Sequence, residues 1–392
     1  MKNIISIALI FIFVTANLIY AQSTYQKIHD EAIVADLHDD AIYRFSEGQD
    51  IESYSRFTQF DLVKMRQGGV DVQFFALWPD PKHKAQQGMY DQANERLDSI
   101  LAIINRHQDI MELATTPEMI RQIISTGKTA ACFGLEGGTA IDNSLRKLNY
   151  FYKRGVRYLG LTWNDSPDWA SSAKDETDPG WTGKKGLSQF GIQVIKQMNQ
   201  LGMMIDVSHS GEQTFYDVLK YSDKPIIASH SSVYAICPHY RNLTDEQIKA
   251  LAQKGGVIFI NFYPGYLVKD FDDVYMNSRE RADAIEDSLK KAGSKESFNR
   301  SEFIHSKIDQ IYPDVTVVAN HIEYIINLVG EDYVGLGSDY SGISIAPVGL
   351  ENVSKFPNLT KELLKRGYSK SRIKKILGGN FMRVFSEISS TN

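Results

Sequence analysis

Two cysteines are all that a chain of 392 residues carries, so no disulfide scaffold can hold it together. A single bridge between Cys132 and Cys237 stays open, although Cys132 lies in an apolar run, where a buried thiol is the commonest role. The excess of acidic over basic residues is small as well. The 43 Lys and Arg against 48 Asp and Glu leave a net charge of −5, and no basic run is long enough to follow a polyanion, which argues against nucleic acid as a partner. No internal repeat, low-complexity tract or linker divides the chain. What remains, 43% hydrophobic and 23% charged, is the balance of an ordinary globular protein with enough length for a large core.

The first 21 residues run from Lys2 through an apolar stretch, Ile4 to Val14, to a polar end at Ala21 and Gln22. This is the three-part pattern of a secretory signal, so export to the periplasm or the outside is expected, with the mature chain starting near Gln22. The competing reading is a retained membrane anchor over Ile4 to Tyr20, which Ser6, Thr15 and Asn17 weaken. No cysteine near the cleavage point could take a lipid, and no stable anchor is expected after processing.

Beyond the signal, apolar β-rich runs alternate with amphipathic helical patterns. The runs are Ala32 to Leu37, Val70 to Leu77, Thr129 to Leu135, Val156 to Thr162, Met203 to Val207, Pro225 to Ser229, Val257 to Phe262 and Tyr333 to Ser338. Near-continuous hydrophobicity suits parallel strands covered on both faces, and eight of them point to a (β/α)₈ barrel in one domain, residues 22–392. Helices are expected between them, as in Tyr90 to Asn105 or Thr244 to Gln253, where Thr244 and Gln247 have the spacing of a capping box. A charged helical insertion, Asp270 to Ile311, interrupts the pattern between the seventh and eighth strands. A last helix, Ser369 to Ser386, is expected to pack on the outside of the barrel.

In such a barrel the chemistry collects at the carboxyl ends of the strands. The first run ends in His38 and Asp40, two residues apart on a strand and so aimed together into the mouth, where such a pair can chelate one metal. The third ends at Glu136, the fifth leads to His209, the sixth to His230 and the eighth to Asp339. A lone histidine at a strand end is usually a hydrogen-bonded structural residue. Three histidines and two acids at one barrel mouth are costly to bury without compensation, and metal ions supply it. Glu136 has two oxygens with which to bridge two ions, and Asp339 can handle protons at a metal-activated water. The other histidines, His29, His83, His107, His239, His305 and His321, read as surface or structural.

These residues together, His38-x-Asp40, Phe133-Gly-Leu-Glu136-Gly-Gly, Asp206-Val-Ser-His209, Ser229-His230-Ser and Gly337-Ser-Asp339-Tyr-Ser-Gly, resemble the renal (membrane) dipeptidase family of zinc metallopeptidases. The segments beginning at Arg241 and Gly349 are similar to that family too, and the likeness spans nearly the whole mature chain. The resemblance implies an amidohydrolase-like barrel with two zinc ions, one held by His38, Asp40 and Glu136 and the other by Glu136, His209 and His230. It implies that Arg241 pairs with the terminal carboxylate of a dipeptide, that Asp339 transfers protons or binds the substrate amine, and that Tyr266 assists. The activity expected is dipeptide hydrolysis, with L,D-dipeptides among the candidate substrates. A homodimer is left open.

The sequence departs from the family pattern at Trp163, where many members have a histidine thought to steady the oxygen of the tetrahedral intermediate. Indole neither accepts a proton nor ligates zinc, though it can donate one N–H. Trp163 is therefore either a packing residue of the cleft or a substrate contact. The departure keeps other functions in view: an amidohydrolase acting on a lactam, a lactone or an N-acyl amino acid, or a non-catalytic exported binding protein that keeps its metal cage. Phosphate-ester hydrolysis ranks lowest, because such sites commonly use a carboxylated lysine where Glu136 stands here.

Overall fold

The computed structural model describes residues 24–293 and 297–390, and the expected signal segment lies outside them. Nine strands occur among the described residues: β1 (Ala35–Asp39), β2 (Val72–Leu77), β3 (Met111–Leu113), β4 (Thr129–Glu136), β5 (Val156–Gly160), β6 (Met204–Asp206), β7 (Ile227–Ser231), β8 (Val257–Ile260) and β9 (Val334–Leu336). All pairings are parallel, in the order β1-β2-β4-β5-β6-β7-β8-β9, so the eight apolar runs of the sequence are the staves of the (β/α)₈ barrel. The short β3, which no apolar run announces, pairs with the first residues of β4, and β5 pairs with the last ones. The ring closes where the chain leaves β9. There Asp339 N–H donates to His38 O and Asp40 N–H donates to Tyr340 O, both at 2.9 Å.

Helices cover the outside where the 3.6-residue apolar period places them, for example Met89–Arg106, Glu212–Tyr221 and Val315–Val329. Thr244 and Gln247 make both arms of a capping box at the start of Asp245–Gln253, satisfying backbone groups that a helix end otherwise leaves open. Among the described residues, two buried clusters belong to the barrel. The larger lies between the strands and the surrounding helices, and the smaller fills the barrel.

The C-terminal segment corrects an expectation. It is three consecutive pieces, Lys370–Lys374, a π turn at Lys375–Gly379 and Asn380–Ser389, and the last does not lie on the outside. Its Phe381, Met382, Val384, Phe385 and Ile388 join the inner cluster with Ala35, Leu37, Val72, Phe74, Met204, Ile227 and Val257 from the starts of the strands. Phe381 meets Phe74 edge to face, ring centroids 5.5 Å apart. The helix plugs the amino-terminal end of the barrel and leaves the carboxyl end as the open mouth.

Between β8 and β9 the insertion folds as two helices, Phe271–Lys291 and Arg300–Ile308, around a small core of Phe271, Tyr275, Ala282, Ile304 and Ile308. It stands beside the mouth. No helix among the described residues is long and apolar enough to cross a membrane.

Candidate active site

His38 lies in β1, Glu136 ends β4, and His230 lies in β7. His209 follows β6 by three residues and Asp339 follows β9 by three, and both take left-handed backbone, with φ of 65° and 63°. That conformation is uncommon for residues with a side chain and marks a place where the surroundings hold the backbone against its preference. Asp40 is not on the strand. It has φ −92° and ψ 22° and begins the helix Ala41–Ser46, so it meets His38 because the chain turns, not because a strand continues.

The five metal candidates converge. His38 Nε2 is 3.7 Å from Asp40 Oδ2 and 3.4 Å from Glu136 Oε2. Glu136 Oε1 is 3.1 Å from His209 Nε2 and 3.5 Å from His230 Nε2, and those two nitrogens are 3.0 Å apart. Each Glu136 oxygen thus faces a different set of imidazoles. Asp339 joins on the Asp40 side, where a ligand atom from each of His38, Asp40 and Asp339 lies within 4.8 Å of the others. Gly342 permits this approach, because a Cβ there would overlap the carboxylates of Asp40 and Asp339.

Second nitrogens orient the rings. His38 Nδ1 is 2.8 Å from Tyr158 Oη, His230 Nδ1 is 2.8 Å from Ser229 Oγ, and His209 Nδ1 is 3.1 Å from Asn164 Oδ1. The Tyr158 ring fits inside the barrel because Gly134 of β4 has no Cβ to strike it. His38 Nε2 and Asp40 Oδ1 are buried with no hydrogen-bond partner. Orphaned donors and acceptors of this kind are expensive unless something binds them, and imidazole nitrogens with carboxylate oxygens are the ligands of a divalent cation. The donor set fits a metal.

Burial pushes His209 down to about 3 and holds His230 well below its ordinary value, which keeps both imidazoles neutral. Burial also opposes the charge on Glu136, but the adjoining imidazoles outweigh it and hold the carboxyl well below the usual range. Burial lifts Asp339 to about 8, with the carboxylates of Asp40 and Glu136 adding to the rise. Asn261 donates to Asp339 Oδ2 at 2.7 Å.

Around these groups opens a cleft of about 530 Å³, lined by Asp40, Glu136, His209 and Asp339 at its floor and by Trp78, Trp163, Tyr263 and Tyr266 on its walls. Trp163 is half-buried and packs on Trp78 with ring centroids 4.8 Å apart. Arg241 is buried, not at the surface. Its Nη2 donates to His230 O at 3.2 Å and its guanidinium lies over the Tyr266 ring at 5.4 Å, while Nε and Nη1 have no partner. Cys132 and Cys237 are free and buried, which removes the bridge left open by the sequence.

The sequence profile of the membrane dipeptidase family, peptidase family M19, matches residues 22–392. The chain belongs to this family. Family M19 membership makes it a metallo-dipeptidase, a hydrolase of peptide bonds. It is 31% identical over 387 residues to an uncharacterized dipeptidase of Schizosaccharomyces pombe, covering 94% of this chain and 83% of that one. To dipeptidase 3 of Mus musculus it is 30% identical over 330 residues, covering 84% of this chain, and it spans only 58% of the mouse protein's length. A crystal structure of a metallopeptidase from Rhodobacter sphaeroides, liganded with a phosphinate mimic of the dipeptide L-Ala-D-Ala, has the same fold with a TM-score of 0.72 at 23% identity, covering 91% of this chain and 99% of that one.

The dipeptidase barrel brings all nine candidate residues of the sequence to its mouth or to the groups lining it. Of the remaining histidines, His29 and His321 are buried structural residues. His29 bonds Thr360 Oγ1 and Gly68 O, and His321 bonds Val233 N and Leu267 O. Tyr158, Asn164, Asn261 and Trp78 also serve the site, and sequence pattern alone does not mark them. Asn261 stands within the run Val257 to Phe262, and Asn164 follows Trp163 just beyond the run Val156 to Thr162. Tyr158 and Trp78 carry no signal beyond an aromatic in or after an apolar strand.

Proposed function

We propose that this dipeptidase is exported and works with two zinc ions, one held by His38, Asp40 and Glu136 and one by Glu136, His209 and His230. The observation that carries this reading is the split of Glu136, whose Oε2 faces His38 while its Oε1 faces His209 and His230. When bound, the cations would polarise the scissile carbonyl and make water acidic enough to supply a nucleophile near neutral pH. The protein does the rest. Arg241 offers the unpartnered Nε and Nη1 donors of a buried guanidinium, a positive charge suited to the substrate's terminal carboxylate. Asp339, held by Asn261, takes the proton given up by the activated water and hands it to the leaving amine. Tyr266 supports the guanidinium of Arg241, and Trp163 with Trp78 walls the cleft against water.

Dipeptides with either an L or a D second residue are the proposed substrates, in keeping with the L-Ala-D-Ala mimic held by the Rhodobacter enzyme. Trp163 favours a second reading in which the bond is another small amide, such as a lactam or an N-acyl amino acid. The deciding experiment assays L,L- and L,D-dipeptides beside N-acyl amino acids and lactams, with metal content measured on the same preparation. Two zinc ions per active chain and dipeptide turnover are expected. Full activity in metal-free protein overturns the mechanism, and turnover confined to the other amides overturns the substrate.

A further inference from the structure

Asp206 and Ser229 flank the histidine motifs and have no part in the mechanism above. Asp206 ends β6 and is buried. Its Oδ1 accepts the backbone N–H groups of Ser208 at 3.0 Å and Ser229 at 2.8 Å, and its Oδ2 accepts the Ser229 hydroxyl at 2.6 Å. The same hydroxyl oxygen lies 2.8 Å from His230 Nδ1. A hydroxyl has one hydrogen to donate. Three atoms compete for it: Asp206 Oδ2 at 2.6 Å, His230 Nδ1 at 2.8 Å and Ser208 Oγ at 3.4 Å. The carboxylate takes it, being charged and nearest. Ser229 Oγ is then the acceptor toward His230, so Nδ1 carries the ring hydrogen and Nε2 keeps the lone pair that faces Glu136 Oε1 at 3.5 Å.

We infer that Asp206 is a positioning residue which, acting through Ser229, fixes His230 in the tautomer that presents a bare Nε2 to the metal. The inference rests on the reading of His230 as a metal ligand. For His209 the amide oxygen of Asn164 performs the same task directly. His38 is held by Tyr158 instead, so its side of the cage does not depend on Asp206.

Asp206 also ties β6 to β7, which share a single register pair, Asp206 with Ile227, and that structural role must be separated from the relay. Asp206→Asn does so. The amide oxygen still accepts both backbone N–H groups, but its NH₂ now donates to Ser229 Oγ and turns the hydroxyl hydrogen onto His230 Nδ1. The ring then moves its own hydrogen to Nε2.

The test titrates metal-free protein with Zn²⁺ against a chromophoric chelator and reads the ring ¹⁵N shifts of His230 in the same protein. Wild type should take up two zinc ions with His230 as the Nδ1–H tautomer. Asp206→Asn should show the Nε2–H tautomer and lose affinity at one site on the order of 10–100-fold, leaving the other unchanged. Adding Ser229→Ala to Asp206→Asn removes the misplaced donor and should restore roughly tenfold of that loss, whereas a merely structural role predicts a further fall. Wild-type affinity in Asp206→Asn, or a double variant weaker than the single, overturns the relay alone. A wild type that takes up no zinc overturns the metal reading and the relay with it. If Asp206→Asn does not fold, Ser229→Ala decides, because unchanged zinc affinity there overturns the relay and a several-fold loss upholds it.

Discussion

The backbone N–H of Asp339 donates to the carbonyl oxygen of His38 at 2.9 Å, so the barrel closes through two residues of its own candidate site. One residue deeper, Asp36 Oδ2 accepts the Ser338 hydroxyl at 2.6 Å and its Oδ1 accepts the Ser338 N–H at 2.8 Å. The first and last strands are clamped at the point where His38, Asp40 and Asp339 must meet. The hydrogen bonds that close the barrel are therefore the ones that hold that half of the site together.

Asp339→Asn tests the proton role. The amide keeps the size of the carboxyl but cannot carry a proton to the leaving amine. Zinc content should stay at the wild-type level while kcat falls by roughly 10²–10⁴-fold, the usual worth of a general acid or base. Steady-state kinetics with metal analysis check this, and undiminished kcat removes Asp339 from the chemistry.

Arg241→Met keeps an unbranched side chain over Tyr266 and deletes the guanidinium. Loss of one partner from a buried, hydrogen-bonded charge pair costs about 2–5 kcal/mol, so kcat/KM on free dipeptides should fall by about 10²–10³-fold. Dipeptide amides, which lack the carboxylate, should be nearly insensitive. An equal loss on both substrates assigns Arg241 to structure.

Trp163→His restores a side chain that donates and accepts protons beside His209, whose ring centroid is 6.4 Å from that of Trp163. With zinc content unchanged, kcat/KM on L,L-dipeptides should rise by about an order of magnitude. Trp163→Ala should lower stability by roughly 1 kcal/mol through the lost contact with Trp78, without the kinetic gain. A histidine variant within twofold of wild type makes Trp163 a packing residue only.

His321 should give the fold an acid-sensitive term. Burial lowers its pKa to about 4, and both ring nitrogens are committed, Nδ1 accepting from Val233 N–H and Nε2 donating to Leu267 O. An unfolded chain protonates this histidine near pH 6.5, so the unfolded state binds the extra proton between about 6.5 and 4. Stability is therefore intact above pH 6.5 and falls as the pH drops through that window, by about 3 kcal/mol for this group. Urea denaturation of metal-free protein at pH 7 and pH 4 checks it. His321→Gln, though less stable at pH 7, should lose about 3 kcal/mol less on acidification than wild type, and equal losses reject the assignment.

Residues of opposite character made much of this legible in one dimension. Apolar runs such as Val257 to Ile260 announce a strand because burial on both faces leaves no polar alternation, and a histidine or carboxylate directly after such a run stands out. Short or cooperative features gave no such contrast. Three residues of β3 are too few for a period. The helix Asn380–Ser389 has the amphipathic pattern of any surface helix, and nothing local says that its apolar side enters the barrel's end. Strand geometry pairs His38 with Asp40, yet β1 stops at Asp39 and the turn into the next helix brings them together.

By itself the order of residues determined which elements form and which side chains carry chemistry, because both depend on local pattern and on the intrinsic properties of imidazole, carboxylate and guanidinium. Only the closed barrel decided that Glu136 faces three histidines with two different oxygens, that Arg241 is buried with Nε and Nη1 unpartnered, and that Tyr158 and Asn164 hold the far nitrogens of His38 and His209. These are contacts between residues tens to hundreds of positions apart. Their distances are set by how strands pack around a common axis, a quantity that no window of sequence contains.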